Sequence, residues 1–257
     1  MTGLERISLV VITLDEEENI ARCIESARGV GETIVVDSHS SDRTVEIAES
    51  LGATVYERDF LSNANQKNWA MRRAGGEWIL ILDADEWLTP ELREEIARVV
   101  REPGGASGFF IRRRNRFLGR WIRRCGWQRD RVLRLFRRNA GRYPERSVHE
   151  KLELDGEART LAEPMLHMPY RDMADYMDRM RQYSLRGAAE LHRNGAGWFP
   201  AILLRPACRF LRMYLLQGGF LDGAAGLVLC GAAAAGVFFK YAALRDLQRR
   251  GGEEEVR

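Results

Sequence analysis

Lysine is nearly absent from this chain of 257 residues, in which Lys67, Lys151 and Lys240 are the only lysines among 40 lysines and arginines. None of them follows the glycines of a G-x-x-x-x-G-K-[ST] loop, and no G-x-G-x-x-G pattern occurs. The P-loop and the standard dinucleotide-binding site therefore lose their main support. A nucleotide bound here needs another means of neutralising its phosphates, such as a divalent cation.

Cysteine is scarce as well. The four cysteines, Cys23, Cys125, Cys208 and Cys230, are scattered without a C-x-x-C pair or metal-type spacing, which predicts reduced thiols in a cytosolic protein. The first apolar run follows no basic segment and enters acidic residues at Asp15, so we expect no signal peptide.

Charge is distributed unevenly along the chain, although the net charge is only +3. The segment from Arg112 to Arg138 is crowded with arginine and nearly free of acids, which favours an anionic partner such as a phosphate, an acidic lipid or a nucleic acid. The segment from Gly223 to Phe239 has no charge over 17 residues, near the lower limit for crossing a bilayer. A buried helical hairpin, an interfacial helix and a membrane span all fit this segment, and its many Ala and Gly residues make the span the least favoured.

The first hundred residues alternate between strand and helix patterns. Aliphatic runs at ISLVVITL, TIVVDS, ATVYER and EWILILDAD predict four strands, with helices between them at Glu16 to Arg28, Asp42 to Leu51 and Gln66 to Arg73. A fourth helix begins in TPELREE, where Thr89 is suited to cap the helix and Pro90 to start it. This order predicts an α/β fold with a mostly parallel sheet and right-handed crossovers.

The rest of the chain changes pattern twice. It is rich in strand patterns from Ser107 to Leu166 and rich in helix patterns from about Asp172. We therefore expect a catalytic α/β domain at residues 1–170 and a helical C-terminal region at residues 171–257.

Polar loops follow three of the predicted strands, at TLDEEEN, VVDSHSSDRT and LDADE. Because the loops after parallel strands emerge at one edge of a sheet, we expect these three to form one site. Asp37 could accept hydrogen bonds from a nucleobase or a ribose. Asp83, Asp85 and Glu86 are crowded carboxylates, which a bound divalent metal would explain, and an acidic loop that caps the next helix is the alternative.

The motifs VVITLDEEENIARCIESA, IVVDSHSSDRTVEIAESLGATV and NQKNWAMRRAGGEWILILDADE together resemble the family 2 glycosyltransferases. The resemblance implies a GT-A fold, a nucleotide-sugar donor, and a Mg²⁺ or Mn²⁺ ion bound through a D-x-D motif. The later motifs DRVLRLFRR, VHEKLEL, LHMPYRDMADYMDRMRQYS and GGFLDGAAGL are similar to the branch that adds glucose to the inner core of lipopolysaccharide. We therefore expect an inverting transfer of glucose from a UDP-sugar to a lipopolysaccharide core or a related glycolipid.

The same resemblance implies a role for residues of the nucleotide pocket. Thr13 and Asp15 would line that pocket, and Asp37 would contact the uridine. Lys67 and Asn68 would lie beside the base or the diphosphate.

Asp83 and Asp85 form the implied D-x-D pair, with Asp85 favoured as the direct metal ligand. The chain departs from the family pattern at two positions of these loops, because Asp15 stands where Asn is usual and His39 where Gly is common. We therefore expect donor contacts that differ in detail from those of relatives.

The segment LFRRNAGRYPERSVHE places Glu150 where inverting members of the family carry the catalytic base. A carboxylate there would accept the proton of the acceptor hydroxyl as that oxygen attacks the anomeric carbon. Asp130 is the second candidate for the base. His149 could ligate the metal, contact a phosphate or have a structural role.

Other functions explain fewer of these residues. A nucleotidyltransferase usually begins with a loop rich in glycine and lysine, which ITLDEEENI is not, and nucleic-acid binding by the arginine cluster leaves Asp37 and the D-x-D motif unexplained. Within glycosyltransferases, a polyprenyl phosphate is the alternative acceptor. Large apolar residues alternate with arginines between Trp198 and Tyr241, which predicts peripheral attachment to the cytoplasmic face of the inner membrane. The alternative is that these residues close the core of a helical subdomain.

Overall fold

A computed structural model describes residues 3–144 and 151–254, which form two compact units. Unit 1 comprises residues 3–114, 130–144 and 151–167, and unit 2 comprises residues 115–129 and 168–254. The sequence predicts a single boundary after residue 170. The structure differs because residues 115–129 belong with the C-terminal helices rather than with the α/β domain.

The described strands and helices are as follows in chain order. The strands are β1 (Ile7–Thr13), β2 (Glu32–Asp37), β3 (Thr54–Glu57), β4 (Trp78–Asp83), β5 (Glu86–Trp87), β6 (Gly108–Phe117), β7 (Arg120–Trp121), β8 (Arg131–Arg137), β9 (Gly141–Arg142), β10 (Glu153–Leu154) and β11 (Ala158–His167). The helices are α1 (Ile20–Ser26), α2 (Thr44–Ser50), α3 (Asn63–Met71), α4 (Pro90–Arg101), α5 (Met173–Arg193), α6 (Ala201–Leu211) and α7 (Gly223–Glu254).

The sheet of unit 1 has the strand order β3-β2-β1-β4-β8-β6-β11-β5. Strands β1 to β4 are mutually parallel, whereas β8 runs antiparallel to β4 and β6 antiparallel to β8. Thr13 pairs with Asp37, and Ile12 with Asp83, so β1, β2 and β4 end level with one another. The common edge predicted from the sequence is therefore present.

The core of unit 1 lies on both faces of this sheet. Trp78 and the four aliphatic residues that follow it in β4 are fully buried, which fits a strand covered on both sides. Side chains of α1, α2 and α4 cover one face, and side chains of α3 cover the other. The charged residues that follow β4 are thereby held at the end of a rigid strand.

Helix boundaries follow local hydrogen bonding. The Thr89 hydroxyl accepts a hydrogen bond of 3.1 Å from the Leu92 amide, which confirms the predicted start of α4. By contrast, α1 begins at Ile20 rather than at Glu16. The amide of Glu16 donates to the Thr44 hydroxyl at 2.8 Å, because this part of the chain forms a loop that bonds to the loop after β2.

Unit 2 is built on α5, α6 and α7. The Asp172 side chain caps α5, and the Ser184 hydroxyl on α5 donates a 3.0 Å hydrogen bond to the carbonyl of Gly236 at the middle of α7. Cys125 and Cys230, which look unrelated in the sequence, are buried with their sulfur atoms 3.7 Å apart.

Within the described ranges, one helix, at Gly219–Arg250, is long and apolar enough to cross a membrane by length and composition alone. A single helix of this kind is weak evidence of a span, since a core helix of a soluble protein meets the same criteria. Only 22% of its most apolar stretch is buried in the protein, although Leu229, Cys230, Tyr241 and Leu244 of this helix belong to the core of unit 2.

Candidate active site at the carboxyl edge of the sheet

Asp83, the first acid of the D-x-D motif, is held at the end of β4 by two basic side chains. Its Oδ1 lies 2.8 Å from the Nζ atom of Lys67 on α3, and its Oδ2 accepts a hydrogen bond from Arg134 on the neighbouring strand β8. Burial favours the neutral acid, but the charges of Arg134 and Lys67 outweigh it and hold the pKa of Asp83 well below its usual range. Asp83 is therefore a charged carboxylate with both oxygens engaged.

Glu86 is a fully buried carboxylate that directly follows Asp85, the second acid of the motif, and it is also paired with arginine. Its Oε1 accepts a 2.7 Å hydrogen bond from Arg134 and lies 3.4 Å from the Nη1 atom of Arg113, and its Oε2 accepts a 3.0 Å hydrogen bond from the Asp83 amide. Arg134 thus pairs with both Asp83 and Glu86 and offsets the repulsion between these two close carboxylates.

Asp130, the second candidate for the catalytic base, forms a two-point ion pair with Arg113. The Arg113 Nε and Nη2 atoms donate hydrogen bonds of 2.9 and 2.8 Å to its two carboxylate oxygens. Asp130 thus orients Arg113, and Arg113 also contacts Glu86. The first candidate, Glu150, and the predicted metal ligand His149 lie outside the described residues.

Asp85, the second acid of the motif, has a different neighbour. Its Oδ2 lies 3.5 Å from the Nε2 atom of His167, and both side chains are only slightly exposed. They meet because β5 pairs antiparallel with β11, where His167 stands opposite Glu86. His167 was missed at the level of sequence, although it is one of only four histidines and ends a strand-like segment, ARTLAEPMLH.

The loops after β1 and β2 interlock through the side chains predicted to bind the nucleotide. Asp37 is fully buried and accepts hydrogen bonds from the amide, at 2.7 Å, and the hydroxyl of Ser40. Asp15 accepts a 2.7 Å hydrogen bond from the Ser41 amide. In this structure Asp37 shapes its own loop, and contact with a base would require that loop to open.

Backbone geometry explains why Asn and Gly are usual at the two positions where this chain has Asp15 and His39. Asp15 has a φ of 53° and His39 a φ of 64°, both in the left-handed region. Gly adopts this region without steric cost, and Asn adopts it more readily than most residues, so the usual Asn and Gly suit these positions. Here His39 is accompanied by Asp59, whose Oδ1 lies 3.0 Å from its Nε2.

The remaining predicted nucleotide contacts lie at or near the same edge. The Thr13 hydroxyl at the end of β1 is buried and has no hydrogen-bond partner among residues 3–144 and 151–254. Lys67 is buried against Asp83, as described above. Asn68 exchanges hydrogen bonds of 2.7 and 3.0 Å with the backbone of Tyr143, the residue that follows β9. These bonds join α3 to the end of β9.

A divalent cation fits this edge as an ion shared between the protein and a phosphate ligand. The Asp85 carboxylate is an oxygen donor suited to Mg²⁺ or Mn²⁺, and the His167 imidazole is a nitrogen donor that suits a transition-metal ion such as Mn²⁺ better than Mg²⁺. In the part of the chain that the structure describes, no cluster of three His, Cys, Asp or Glu side chains could enclose an ion. One or two protein ligands completed by substrate oxygens are the usual arrangement for an ion that acts on a diphosphate.

The chain is similar to known glycosyltransferases. The sequence model of the family described as glycosyl transferase family 2 matches residues 8–152, which is more than half of the chain. The lipopolysaccharide core biosynthesis glycosyltransferase LpsC of Rhizobium meliloti (strain 1021) is 28% identical over 253 residues, covering 92% of this chain and 93% of LpsC. An uncharacterized glycosyltransferase of Rickettsia felis is 48% identical over 94 residues, which covers 36% of this chain and 33% of that protein.

Among solved structures, the fold is similar to that of the mannosyltransferase PcManGT from Pyrobaculum calidifontis, determined in complex with GDP-Man and Mn²⁺. The TM-score is 0.55, with 18% identity over 93% of this chain and 86% of that one. This similarity shows the GT-A fold that the sequence motifs imply.

Proposed function

Because the chain belongs to glycosyl transferase family 2, we propose that it transfers a hexose from a nucleotide diphosphate sugar to the core of lipopolysaccharide or a related glycolipid. One observation carries the donor part of this proposal. At the carboxyl edge of the sheet, Asp85 lies beside His167 while the neighbouring Asp83 is neutralised by two basic side chains. Asp85, with His167 beside it, is the acid of this edge that would contact a cation and its phosphate ligand.

The donor would bind along the ends of β1, β2 and β4. Thr13 and Asp15 at the first loop and Asp37 at the second are the expected contacts of the nucleoside. Thr13 and Asp37 end β1 and β2 side by side, and the loop closed over Asp37 would open on binding. We take UDP-glucose as the first donor to test, because the motifs of the second half are similar to those of glucose-transferring enzymes. The similarity to a GDP-Man-binding neighbour makes GDP-mannose the necessary comparison.

Asp85 and His167 would hold the Mg²⁺ or Mn²⁺ ion, which stabilises the negative charge on the departing nucleoside diphosphate when it is bound. Lys67 and Arg134 keep Asp83 ionised and fixed, and Glu86 fixes Arg134 in turn. The turn that carries Asp85 is therefore preorganised by hydrogen bonds before any ligand arrives.

Glu150 is the proposed catalytic base. The acceptor hydroxyl oxygen attacks the anomeric carbon of the donor sugar from the face opposite the diphosphate, and Glu150 accepts the hydroxyl proton as the new bond forms. The bond between the anomeric carbon and the diphosphate oxygen breaks with its electron pair, so the configuration at that carbon is inverted. A positioned base of this kind contributes about 10²–10⁴-fold to the rate.

The acceptor assignment rests on the LpsC relative, which is similar along nearly the whole chain. Such an acceptor is a phosphorylated glycolipid, and the arginine-rich segment from Arg112 to Arg138 suits its anionic groups. We therefore place the enzyme in the cytoplasm, working at the inner face of the inner membrane.

A transfer assay with the full-length protein tests this function. UDP-glucose, UDP-galactose, UDP-N-acetylglucosamine and GDP-mannose are each supplied with Mn²⁺ or Mg²⁺, together with lipopolysaccharide truncated at its inner core or with a polyprenyl phosphate. We expect the mass of the lipopolysaccharide to increase by one sugar, with inverted anomeric configuration. Transfer to the polyprenyl phosphate alone would replace the acceptor, and no transfer with any donor would contradict the proposal.

A further inference from the structure

Helix α6 of unit 2 exposes an apolar stripe to solvent. The residues at spacings of three and four, which lie on one face, are Leu203, Leu204, Ala207, Cys208 and Leu211 of α6 and Leu215 of the helical turn that follows it, and all of them are exposed. Arg205, Arg209 and Arg212 are also exposed and border this stripe on one side. No side chain of α6 is fully buried, and Ala201, Ile202 and Phe210 pack partly buried against the core of unit 2 on the other side of the helix.

The exposed apolar surface continues through the turn after α6 and along α7. Leu216 is 85% exposed, and Phe220 and Leu221, which directly precede α7, are also exposed. On α7, Leu227 and Phe238 are exposed and lie eleven residues apart, about three helical turns, so they share one face. A monomeric soluble protein rarely exposes a continuous apolar surface of this extent unless the surface binds a partner.

We propose that α6 and α7 form a hairpin that docks in the plane of an anionic phospholipid bilayer without crossing it. The apolar stripe and the turn enter the boundary of the acyl chains, and the bordering arginines contact phosphate headgroups. This deepens the proposed function, because it names the partner of unit 2 and the way it binds, and it does not depend on the identity of the donor.

The charge of the hairpin favours an anionic lipid over a second copy of the chain. Between Trp198 and Tyr241 the basic residues are Arg205, Arg209, Arg212 and Lys240, and the one acid is Asp222, which gives a net charge of +3. The Asp222 carboxylate accepts hydrogen bonds from the amides of Arg123 and Arg124, so it is engaged within unit 2. Two copies facing each other would bring like charges together, whereas headgroup phosphates complement them.

The packing of α5 on α7 decides between docking and spanning. Ser184 of α5 bonds to the Gly236 carbonyl in the middle of α7, on the face opposite Leu227 and Phe238. A Cβ atom on Gly187 would meet the Lys240 side chain, which shows how closely the two helices approach. If α7 crossed the bilayer, α5 would have to enter the hydrocarbon with it.

Helix α5 is unsuited to hydrocarbon because its outer surface is charged. Asp178, Arg181 and Arg186 are exposed on it, and ionised side chains are strongly disfavoured at the centre of a bilayer. The structure therefore permits insertion only to the depth of the exposed stripe, with α5 remaining on the aqueous side.

Sedimentation with vesicles tests the surface directly. The full-length protein is mixed with vesicles of phosphatidylcholine alone or of phosphatidylcholine with phosphatidylglycerol. We expect it to pellet with the anionic vesicles at low salt, to bind the neutral ones at least about tenfold more weakly, and to lose most of its binding at about 1 M salt, where charges are screened within roughly 3 Å.

A matched pair of leucines separates the stripe from general surface hydrophobicity. Leu211 on α6 is 51% exposed and Leu185 on α5 is 50% exposed, both within helices of unit 2. Leu211→Asp should lower the affinity for anionic vesicles about tenfold or more, because a leucine no longer enters the acyl boundary. Leu185→Asp should leave it unchanged. Equal effects of the two substitutions, or no effect of either, would overturn the proposal.

Arg209, at the border of the apolar stripe, is compared with Arg186 on α5 in the same way. Arg209→Glu should weaken binding to anionic vesicles about tenfold, whereas Arg186→Glu on α5 should have little effect. Circular dichroism and nucleotide-sugar binding in solution should be unchanged in all four variants, which shows that the fold and the donor site are intact. Loss of donor binding with vesicle binding retained would contradict the proposed function and leave this inference standing.

Cys208 offers a readout that needs no substitution. It is the exposed one of the four cysteines and lies in the stripe, whereas Cys23, Cys125 and Cys230 are buried. An environment-sensitive fluorophore on Cys208 should shift its emission to the blue on anionic vesicles and should be quenched by quenchers placed at a shallow depth in the acyl chains. An unshifted emission would contradict insertion of this face.

Two further outcomes overturn the proposal in favour of other partners. Alkaline carbonate should release the bound protein from vesicles, and protein that stays with the pellet would indicate a membrane span. The protein could instead fail to pellet with vesicles and be dimeric by light scattering. If Leu211→Asp then made it monomeric, a second copy of the chain would be shown to cover the stripe.

Discussion

Units 1 and 2 depart in opposite ways from the usual distribution of residues. Unit 1 buries charge, since Glu86 is fully enclosed with Arg134 and Arg113 around it. Unit 2 exposes hydrocarbon, with leucines on α6 about half exposed or more. Buried polar groups and exposed apolar patches are the informative exceptions in a folded chain. Each one here marks a place where we expect the protein to meet a ligand: a charged donor in unit 1 and a lipid surface in unit 2.

The largest effect is expected for the proposed catalytic base, Glu150. This prediction tests whether turnover can be lost while the buried charges of unit 1 keep the fold stable. Glu150→Gln should keep donor affinity and stability but reduce turnover by about 10²–10⁴-fold, because the amide cannot accept the acceptor's proton. Glu153→Gln is the control, since Glu153 is a nearby exposed carboxylate paired with Arg142. Steady-state transfer rates measure both variants. Near-normal turnover of the first variant would move the role of base elsewhere, with Asp130 the next residue to test.

The second prediction tests whether the buried charges of unit 1 are a structural framework. Glu86→Ala should destabilise the fold by about 3–5 kcal/mol, because the buried Arg134 loses one of its two carboxylate partners and keeps only Asp83. Glu77 is the matched control, because it also pairs with two arginines, Arg6 and Arg137, but is 41% exposed. Glu77→Ala should cost at most about 1 kcal/mol. Denaturant unfolding compares the two, and equal small losses would show that burial of the charge has little structural importance.

The third prediction tests whether Asp85 and His167 differ in role from the arginine-paired acids beside them. His167→Ala should weaken metal-dependent donor binding about 10–100-fold, because a ligand or orienting partner of the ion is lost. His192→Ala, which removes an exposed histidine of α5, should have no effect. Titration of Mn²⁺ at fixed nucleotide sugar provides the measurement. Identical behaviour of the two variants would remove His167 from the site.

The smallest effect is expected in the loop after β1. Asp15→Asn should change stability by no more than about 0.5 kcal/mol, because Asn retains an acceptor for the Ser41 amide and tolerates a positive φ. Asp15→Val should cost about 1–2 kcal/mol at the same position, since a β-branched residue is strained there. Thermal melting distinguishes them, and equal values would show that the backbone conformation of Asp15 is different in solution.

The sequence predicts the parallel half of unit 1 well because its signals are local. Aliphatic runs identify β1 to β4, and Thr89 with Pro90 marks the start of α4. The shared edge follows from a general rule for parallel strands, so Asp37 and Asp83 are placed correctly without any structure.

Long-range pairing accounts for what the sequence did not reveal. His167 reaches Asp85 through the antiparallel pairing of β5 and β11, which join segments about eighty residues apart. Arg113 and Arg134 reach Glu86 from β6 and β8, and nothing in their local pattern distinguishes them from the other arginines of the cluster. The crowding of acids after β4 therefore suggests a metal in the sequence, whereas the structure shows that arginine pairs with two of the three acids.

Donor binding with and without a divalent cation tests the central claim most directly. The melting temperature of the full-length protein is measured with each nucleotide sugar, with Mn²⁺ or with a chelator, for the unaltered chain and for Asp85→Ala. One nucleotide sugar at about a hundred times its dissociation constant should stabilise the unaltered chain by about 2.7 kcal/mol, only when the ion is present. Asp85→Ala should lose that stabilisation, and Glu94→Ala, a substitution on the exposed face of α4, should retain it. Equal stabilisation in chelator, or none with any nucleotide sugar, would contradict the account.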